Sequence, residues 1–295
     1  MKTMEIEVGN RTDVGRKRTH NEDYFGYFKT SGEILAIVAD GMGGHASGEI
    51  ASRMAVEIIN EIYSKERADK DVLEALKSAF QVANFTILQK SLEQEGLNGM
   101  GTTATALVLE DDQALVGHMG DSRAYLFRDS TVTQLTKDHS LVERMVDQGL
   151  LNREEATHHP QRNVIYKTLG VNMDGEVDLL GPIPIRINDV FLLCSDGLTN
   201  LVTDQELLEI VAKESPQTAC ETLVQLANQR GGHDNITVQI VKLGKRRKRF
   251  TSLLDRKRFL LVLGFILLIL LLLNGLFLIE PEFLKKLPFI SSPNP

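Results

Sequence analysis

An α+β fold built on antiparallel strands is what this sequence predicts, and three observations predict it. Apolar residues recur at helical spacing over 48–64 and again over 71–90, which gives two amphipathic helices, each with one face for a sheet. Between 102 and 127 the pattern changes to short β-rich runs broken at Asp111-Asp112 and Gly120-Asp121, the mark of consecutive antiparallel strands. Five aspartates, Asp23, Asp40, Asp121, Asp196 and Asp234, each stand where an apolar, strand-like run meets a turn.

In chain order, Asp23 precedes the run 24–28, and the run 34–39 leads into Asp40-Gly41. The first helix is carried by Ile50, Ala51, Met54, Ala55, Ile58, Ile59 and Ile62, the second by Val72, Leu73, Leu76, Phe80, Ala83, Ile87 and Leu88. The run 114–119 ends at Gly120-Asp121. Residues 137–170 are polar, His-rich and only partly helical, around 141–151, and they interrupt two strand-rich regions. Long irregular insertions are usually functional or disordered, so this one is expected to be a mobile flap beside a site. The run 190–195 leads into Asp196-Gly197 and is followed by helix patterns at 204–212 and 218–230, the second stopped by Gly231-Gly232. Asp234 precedes the final strand, 236–241.

Taken singly, Asp-Gly and Gly-Asp are ordinary turn chemistry. Turns need not end in an acid every time, however, and five acids on strand ends point to a multinuclear site for hard cations, which prefer carboxylate, carbonyl and water oxygens.

The chain has 295 residues, 42% of them hydrophobic, enough for a substantial core. Residues 259–279 form a run of 21 with no charge and a single polar side chain, Asn274, long enough as a helix to span about 30 Å of hydrocarbon. A transmembrane helix is expected there. Eight basic residues precede it within 245–258 and only Lys285 and Lys286 follow, so the positive-inside rule puts the preceding domain in the cytoplasm of a single-pass protein of the cell membrane. The same basic stretch, Lys245 to Arg258, is expected to contact anionic lipid headgroups. Setting aside the ten bases and three acids beyond 244 leaves 23 basic and 37 acidic residues, a surface that repels nucleic acid. The two cysteines, Cys194 and Cys220, lie in apolar runs and read as core. No cleavable signal is read at the N-terminus. The expected organisation is a catalytic domain over 1–244 with the flap at about 137–170, a basic linker over 245–258, the span over 259–279 and a short extracytoplasmic tail over 280–295, as a monomer.

The motifs in order are Arg18-Thr19-His20-Asn21-Glu22-Asp23, Asp40-Gly41-Met42-Gly43-Gly44-His45, Gly101-Thr102-Thr103, Gly120-Asp121-Ser122-Arg123, Ser195-Asp196-Gly197-Leu198 and His233-Asp234-Asn235-Ile236-Thr237. Together they resemble the metal-dependent serine/threonine protein phosphatases of the PPM type (type two-C), the bacterial branch in particular, over about residues 9–243. The resemblance implies a four-layer α-β-β-α sandwich with two central antiparallel sheets. It implies that Asp40 bridges two Mn²⁺ or Mg²⁺ ions, with the Gly41 carbonyl on one and Asp196 and Asp234 on the other. Asp23 and Glu22 would act mainly through water, Asp121 would hold a third, weaker ion, and Arg18 would bind the phosphate. Its partners would be phosphoproteins and a serine/threonine kinase of the same membrane.

The chemistry also stands without the family. Two metal ions roughly 3.5 to 4 Å apart lower the pKa of a shared water and clamp both oxygens of an in-line displacement at phosphorus. A guanidinium adds a bidentate grip on the phosphoryl oxygens. The proton donor to the leaving group stays open among His45, the flap histidines His139, His158 and His159, and water, with water preferred. Two rival readings are a non-catalytic binding module of the same fold and another metal-dependent phosphoester hydrolase. The first would be expected to lack a ligand, and none is missing; sequence order and Arg18 weigh against the second.

Overall fold

The computed structural model describes residues 4–30, 32–43, 46–173 and 175–245, and from 261–270 only 261, 262, 264–266, 269 and 270. The chain divides into two compact units, Met1–Arg246 and Arg247–Pro295. In the first, the elements run β1 (Met4–Asp13), β2 (Asp23–Lys29), β3 (Glu33–Met42), α1 (Ala46–Glu66), α2 (Val72–Glu93), β4 (Gly101–Thr102), β5 (Ala104–Glu110), β6 (Gln113–Met119), β7 (Arg123–Arg128) and β8 (Thr131–Gln134). They continue α3 (Leu141–Asp147), α4 (Arg153–His158), β9 (Asp178–Pro184), β10 (Val190–Cys194), α5 (Asp196–Thr199), α6 (Asp204–Lys213), α7 (Pro216–Gln229) and β11 (Ile236–Lys245).

Two antiparallel sheets result. One has the order β1-β11-β10-β7-β8; the other has the order β2-β3-β5-β6-β9, with β4 paired to β3. The strand period of two explains how they stack. On β3, Leu35, Ile37 and Ala39 join a core with Ala51, Ala55, Ile59, Leu76 and Phe80 of α1 and α2. The alternate residues Ile34, Ala36 and Val38 meet Phe191, Leu193, Val241 and Leu243 of the other sheet. On that sheet's far side Leu192, Cys194, Val238 and Ile240 pack with Leu207, Leu223 and Val224 of α6 and α7. Helices, sheet, sheet and helices thus form successive layers. Central strands buried on both faces must be apolar throughout, which is why 34–39 and 190–194 read as unbroken hydrophobic runs.

The main helices lie within a few residues of the expected spans, closed by local chemistry: Asp71, Thr203 and Ser215 cap the first turns of α2, α6 and α7, and Pro216 starts α7. Three strands were not anticipated, each at the edge of its sheet. β1 is mostly half-buried and polar, β8 is a four-residue strand, TVTQ, beyond the expected 102–127 region, and β9, DLLGPIP, carries two prolines that an edge position tolerates.

The expected membrane span is corrected. Among the described residues no helix is long and apolar enough to cross a membrane. Most of 259–279, the basic run 246–258 and the tail 280–295 lie outside the described residues. The assignment to the cell membrane is withdrawn, and the expected lipid contact and membrane-bound kinase lose their premise.

Candidate active site

The antiparallel registers bring the five aspartates to matching strand ends. β2 begins at Asp23, which faces Asp40 near the end of β3. β6 runs parallel to β3 through β5 and delivers Gly120-Asp121 at the same end. In the second sheet β10 ends just before Asp196, while its antiparallel neighbour β11 starts just after Asp234. Direct contacts join the two sets across the sheets. The Ser195 hydroxyl, 0% exposed, donates to Asp23 Oδ2 at 2.7 Å and accepts from the Thr237 N–H at 3.0 Å. Arg18 Nη2 donates to Asp234 Oδ2 at 2.8 Å, and the Asn235 N–H donates to Asp234 Oδ1 at 2.8 Å.

Asp40 is held through its backbone. Its N–H donates to Thr103 Oγ1 at 2.9 Å, and its carbonyl accepts from the Thr103 N–H and the Thr102 hydroxyl. Gly41 lies where the chain crosses α1: a Cβ there would stand 2.1 Å from the Gly48 carbonyl oxygen and 2.6 Å from that of Glu22. Only glycine lets its carbonyl sit beside Asp40 in this space. Gly197 is constrained in the same way, since a Cβ would come within 2.0 Å of the Asn235 carbonyl oxygen.

The electrostatics are those of acids forced together. Burial raises the Asp23 carboxyl to about 7 against the hydrogen bonds of Ser195 and Thr237, with Asp196 and Asp234 adding repulsion. Burial and then the charges of Asp23, Asp196, Asp121 and Asp234 push Asp40 well above the usual range. Asp121 is raised strongly by burial and by Asp196, and Asp196 is raised to about 6 by burial and Asp234. Burial works to lower the Arg18 guanidinium, but Asp234, Glu22 and Asp40 outweigh it and raise it.

Among the described residues no three His, Cys, Asp or Glu side chains already converge on a single point. The acids nevertheless suit cations. Asp23 Oδ1, Asp121 Oδ1 and Asp196 Oδ1 are buried carboxylate oxygens without a hydrogen-bond partner. Such atoms ordinarily find a partner, and oxygen donors in a repelling cluster match the preference of Mg²⁺ or Mn²⁺.

The flap segment is pinned at both ends. At its entry Arg123 forks onto Asp138 at 2.6 to 3.0 Å, the His139 N–H donates to the Gly120 carbonyl at 2.7 Å, and His118 Nε2–H donates to the Lys137 carbonyl at 3.1 Å. At its exit Leu169 pairs with Thr102, and the Gly170 N–H donates to Asn84. Of the candidate proton donors, His139 is buried with both nitrogens engaged, Nδ1 by the Gly120 N–H at 3.0 Å and Nε2 with Asp178 at 3.1 Å. His158 ends α4 and is exposed; His159 Nδ1 accepts from the Gln161 N–H. His45 lies outside the described residues.

The sequence reading missed the roles of Ser195, Thr102, Thr103 and Asn235. All four stand inside the quoted motifs; Ser195 and Asn235 adjoin Asp196 and Asp234, while Thr102 and Thr103 had only their place in the Gly101-Thr102-Thr103 motif as a signal.

A family model described as Protein phosphatase 2C matches residues 14–233. The serine/threonine phosphatase stp of Listeria welshimeri is 40% identical over 237 residues, covering 79% of this chain and 94% of that protein. Protein phosphatase PhpP of Streptococcus pneumoniae is 41% identical over 244 residues, covering 81% and 98%. The crystal structure of the Mycobacterium tuberculosis serine/threonine phosphatase PstP/Ppp is similar with a TM-score of 0.73 at 35% identity, over 81% of this chain and 99% of that one. A structure of the PstP catalytic domain in complex with two manganese ions has a TM-score of 0.72 at 34% identity, over 82% and 100%.

Proposed function

This chain belongs to the protein phosphatase 2C family, and from that premise we propose that its acidic cleft hydrolyses phosphoserine and phosphothreonine in proteins with two Mn²⁺ or Mg²⁺ ions. Asp40, the Gly41 carbonyl, Asp196 and Asp234 hold the two ions, Asp23 and Glu22 act through water, and Asp121 takes a third. The observation that carries this reading is the set of three buried, unpartnered oxygens on Asp23, Asp121 and Asp196. When bound, the ions supply an activated water and neutralise charge at phosphorus.

The chain's own residues do the rest. Arg18 projects from an exposed segment with its guanidinium already oriented by Asp234, so it can grip a phosphoryl group entering from solvent and steer it toward the acids. Ser195 holds the Asp23 carboxylate directly, and Thr103 fixes the backbone from which Asp40 projects. We assign the proton on the leaving serine or threonine oxygen to water; of the histidine candidates, His139 has both nitrogens engaged in holding the flap entry. The groups removed are those installed by protein serine/threonine kinases, and such a kinase is the expected counterpart.

The test is hydrolysis by the purified protein. p-Nitrophenyl phosphate and a phosphothreonine peptide should be cleaved only with Mn²⁺ or Mg²⁺ present, and bis-p-nitrophenyl phosphate should not be cleaved. Full activity in EDTA would overturn the metal assignment. Preference for the diester would favour a phosphodiesterase, and no hydrolysis of any of the three would favour a binding module.

A further inference from the structure

Asn235 immediately follows Asp234 and is buried, with 3% of its surface exposed. Its side-chain amide is spent on a segment more than 200 residues away in sequence. Oδ1 accepts from the Glu22 N–H at 2.8 Å, and Nδ2 donates to the Val14 carbonyl at 3.0 Å and to the His20 carbonyl at 2.9 Å. These partners bracket residues 14–22, a stretch of turn and coil that includes both Arg18 and Glu22. The same residue's backbone N–H holds Asp234 Oδ1, while Arg18 reaches Asp234 Oδ2.

Only a carboxamide offers one acceptor and two donors in a single plane, and all three are used here. An aspartate would fill the same volume and keep the acceptor, but would turn two donors into an oxygen facing two carbonyls. The other hydrogen bonds that tie this stretch to its surroundings lie to one side of Arg18 or the other: the Arg16 N–H to the Gly232 carbonyl at 2.7 Å before it, and after it Asn21 Nδ2 to Thr12 Oγ1 at 2.8 Å, with the Glu22 carbonyl accepting from the Gly41 N–H at 3.1 Å and the Ser52 hydroxyl at 2.6 Å. Residues 16–20 are themselves exposed.

We propose that Asn235 is a positioning residue of the reaction: its amide registers the 14–22 segment on the strand end bearing Asp234, so that Arg18 and Glu22 meet the acids as one unit. This rests on the reading of Arg18 as the phosphate grip. Asn235 itself touches neither phosphate nor metal; it acts through the segment it holds.

The test uses the full chain with Asn235→Asp and Asn235→Ala, each alone and combined with Arg18→Ala, followed by hydrogen exchange and steady-state kinetics. Amides of 15–22 should exchange faster while those of β3, β10 and β11 keep their protection. The KM for a phosphothreonine peptide should rise about tenfold with a smaller change in kcat, as expected for a displaced binding group. That rise should vanish when Arg18 is already alanine, because residues acting through one another do not add. Unchanged exchange in 15–22, or KM losses that add in the double variant, overturns the proposal. If Asn235→Ala does not fold, the volume-conserving Asn235→Asp carries the same readouts. If Arg18→Ala alone leaves KM unchanged, the phosphate assignment has failed; exchange in 15–22 then decides for or against the hold of Asn235 by itself.

Discussion

Asp23 and Asp40 are directly opposed across the β2–β3 ladder, two carboxylates on facing positions of one hairpin. Like charges so placed weaken a sheet, and each charge raises or adds to the burden of its buried neighbours. Neutralising one should therefore help the fold while harming the reaction. Asp40→Asn is expected to abolish turnover yet raise the Tm of the cation-free protein, at alkaline pH where the buried acids are driven to ionise, by about 1 to 4 °C, from relief of roughly 0.2 to 1 kcal/mol. Melting in EDTA beside a phosphopeptide assay checks both halves; an active variant would sink the ligand assignment.

Ser195→Ala removes the donor to Asp23 Oδ2 and leaves the buried Thr237 N–H without its acceptor. An unsatisfied buried donor costs about 1 to 3 kcal/mol, so Tm should drop by several degrees. Loss of a group that orients a ligand should weaken Mn²⁺ binding by about 10 to 100-fold, measured by calorimetry. Unaltered affinity would mean that Asp23 has no part in cation binding.

The raised acids set the pH dependence of the cation-free protein. Burial lifts Asp23 to about 7 and Asp196 to about 6, against 3.8 for an ordinary carboxyl, so between these values the fold binds more protons than the unfolded chain. Their stabilisation is complete below the lower value and is lost as pH rises through the upper ones. Burial displaces His118, to about 4, and His139 the other way, but they are outnumbered by Asp23, Asp40, Asp121 and Asp196. Tm in EDTA should fall from about pH 5 to about pH 8, and saturating Mn²⁺ should reverse the slope because its ligands must be deprotonated. A Tm in EDTA that rises over this range would contradict the burial of these acids.

Arg18→Lys keeps the charge and loses the planar fork. If the guanidinium grips phosphate through two bonds, KM for a phosphopeptide should increase about tenfold, the scale of one charge-assisted hydrogen bond. Steady-state kinetics at fixed Mn²⁺ would show it, and an unchanged KM would remove Arg18 from the binding step.

Much was legible in the sequence because it is locally encoded. The apolar runs at 34–39 and 190–194, the helical spacing at 50–62 and 72–88, and acids at the ends of strands are patterns within a few residues, which periodicity and turn chemistry report directly. The polar β1 and proline-bearing β9 escaped because edge strands are shaped by their neighbours more than by their own composition. An apolar run at 259–279 likewise reports only that its side chains avoid water. It does not report which medium or element receives them, and no membrane-spanning helix appears among the described residues.

The sequence by itself determined the candidates: the five aspartates by residue type and local setting, and Gly41 and Arg18 by the resemblance of the motifs that contain them. Only the tertiary structure decided how they are held. Asp23 is steadied by Ser195 from 172 positions away, Arg18 by Asp234 from 216, and Glu22 by Asn235 from 213. No local pattern encodes such pairs, because they exist only once two sheets have stacked and brought their strand ends together.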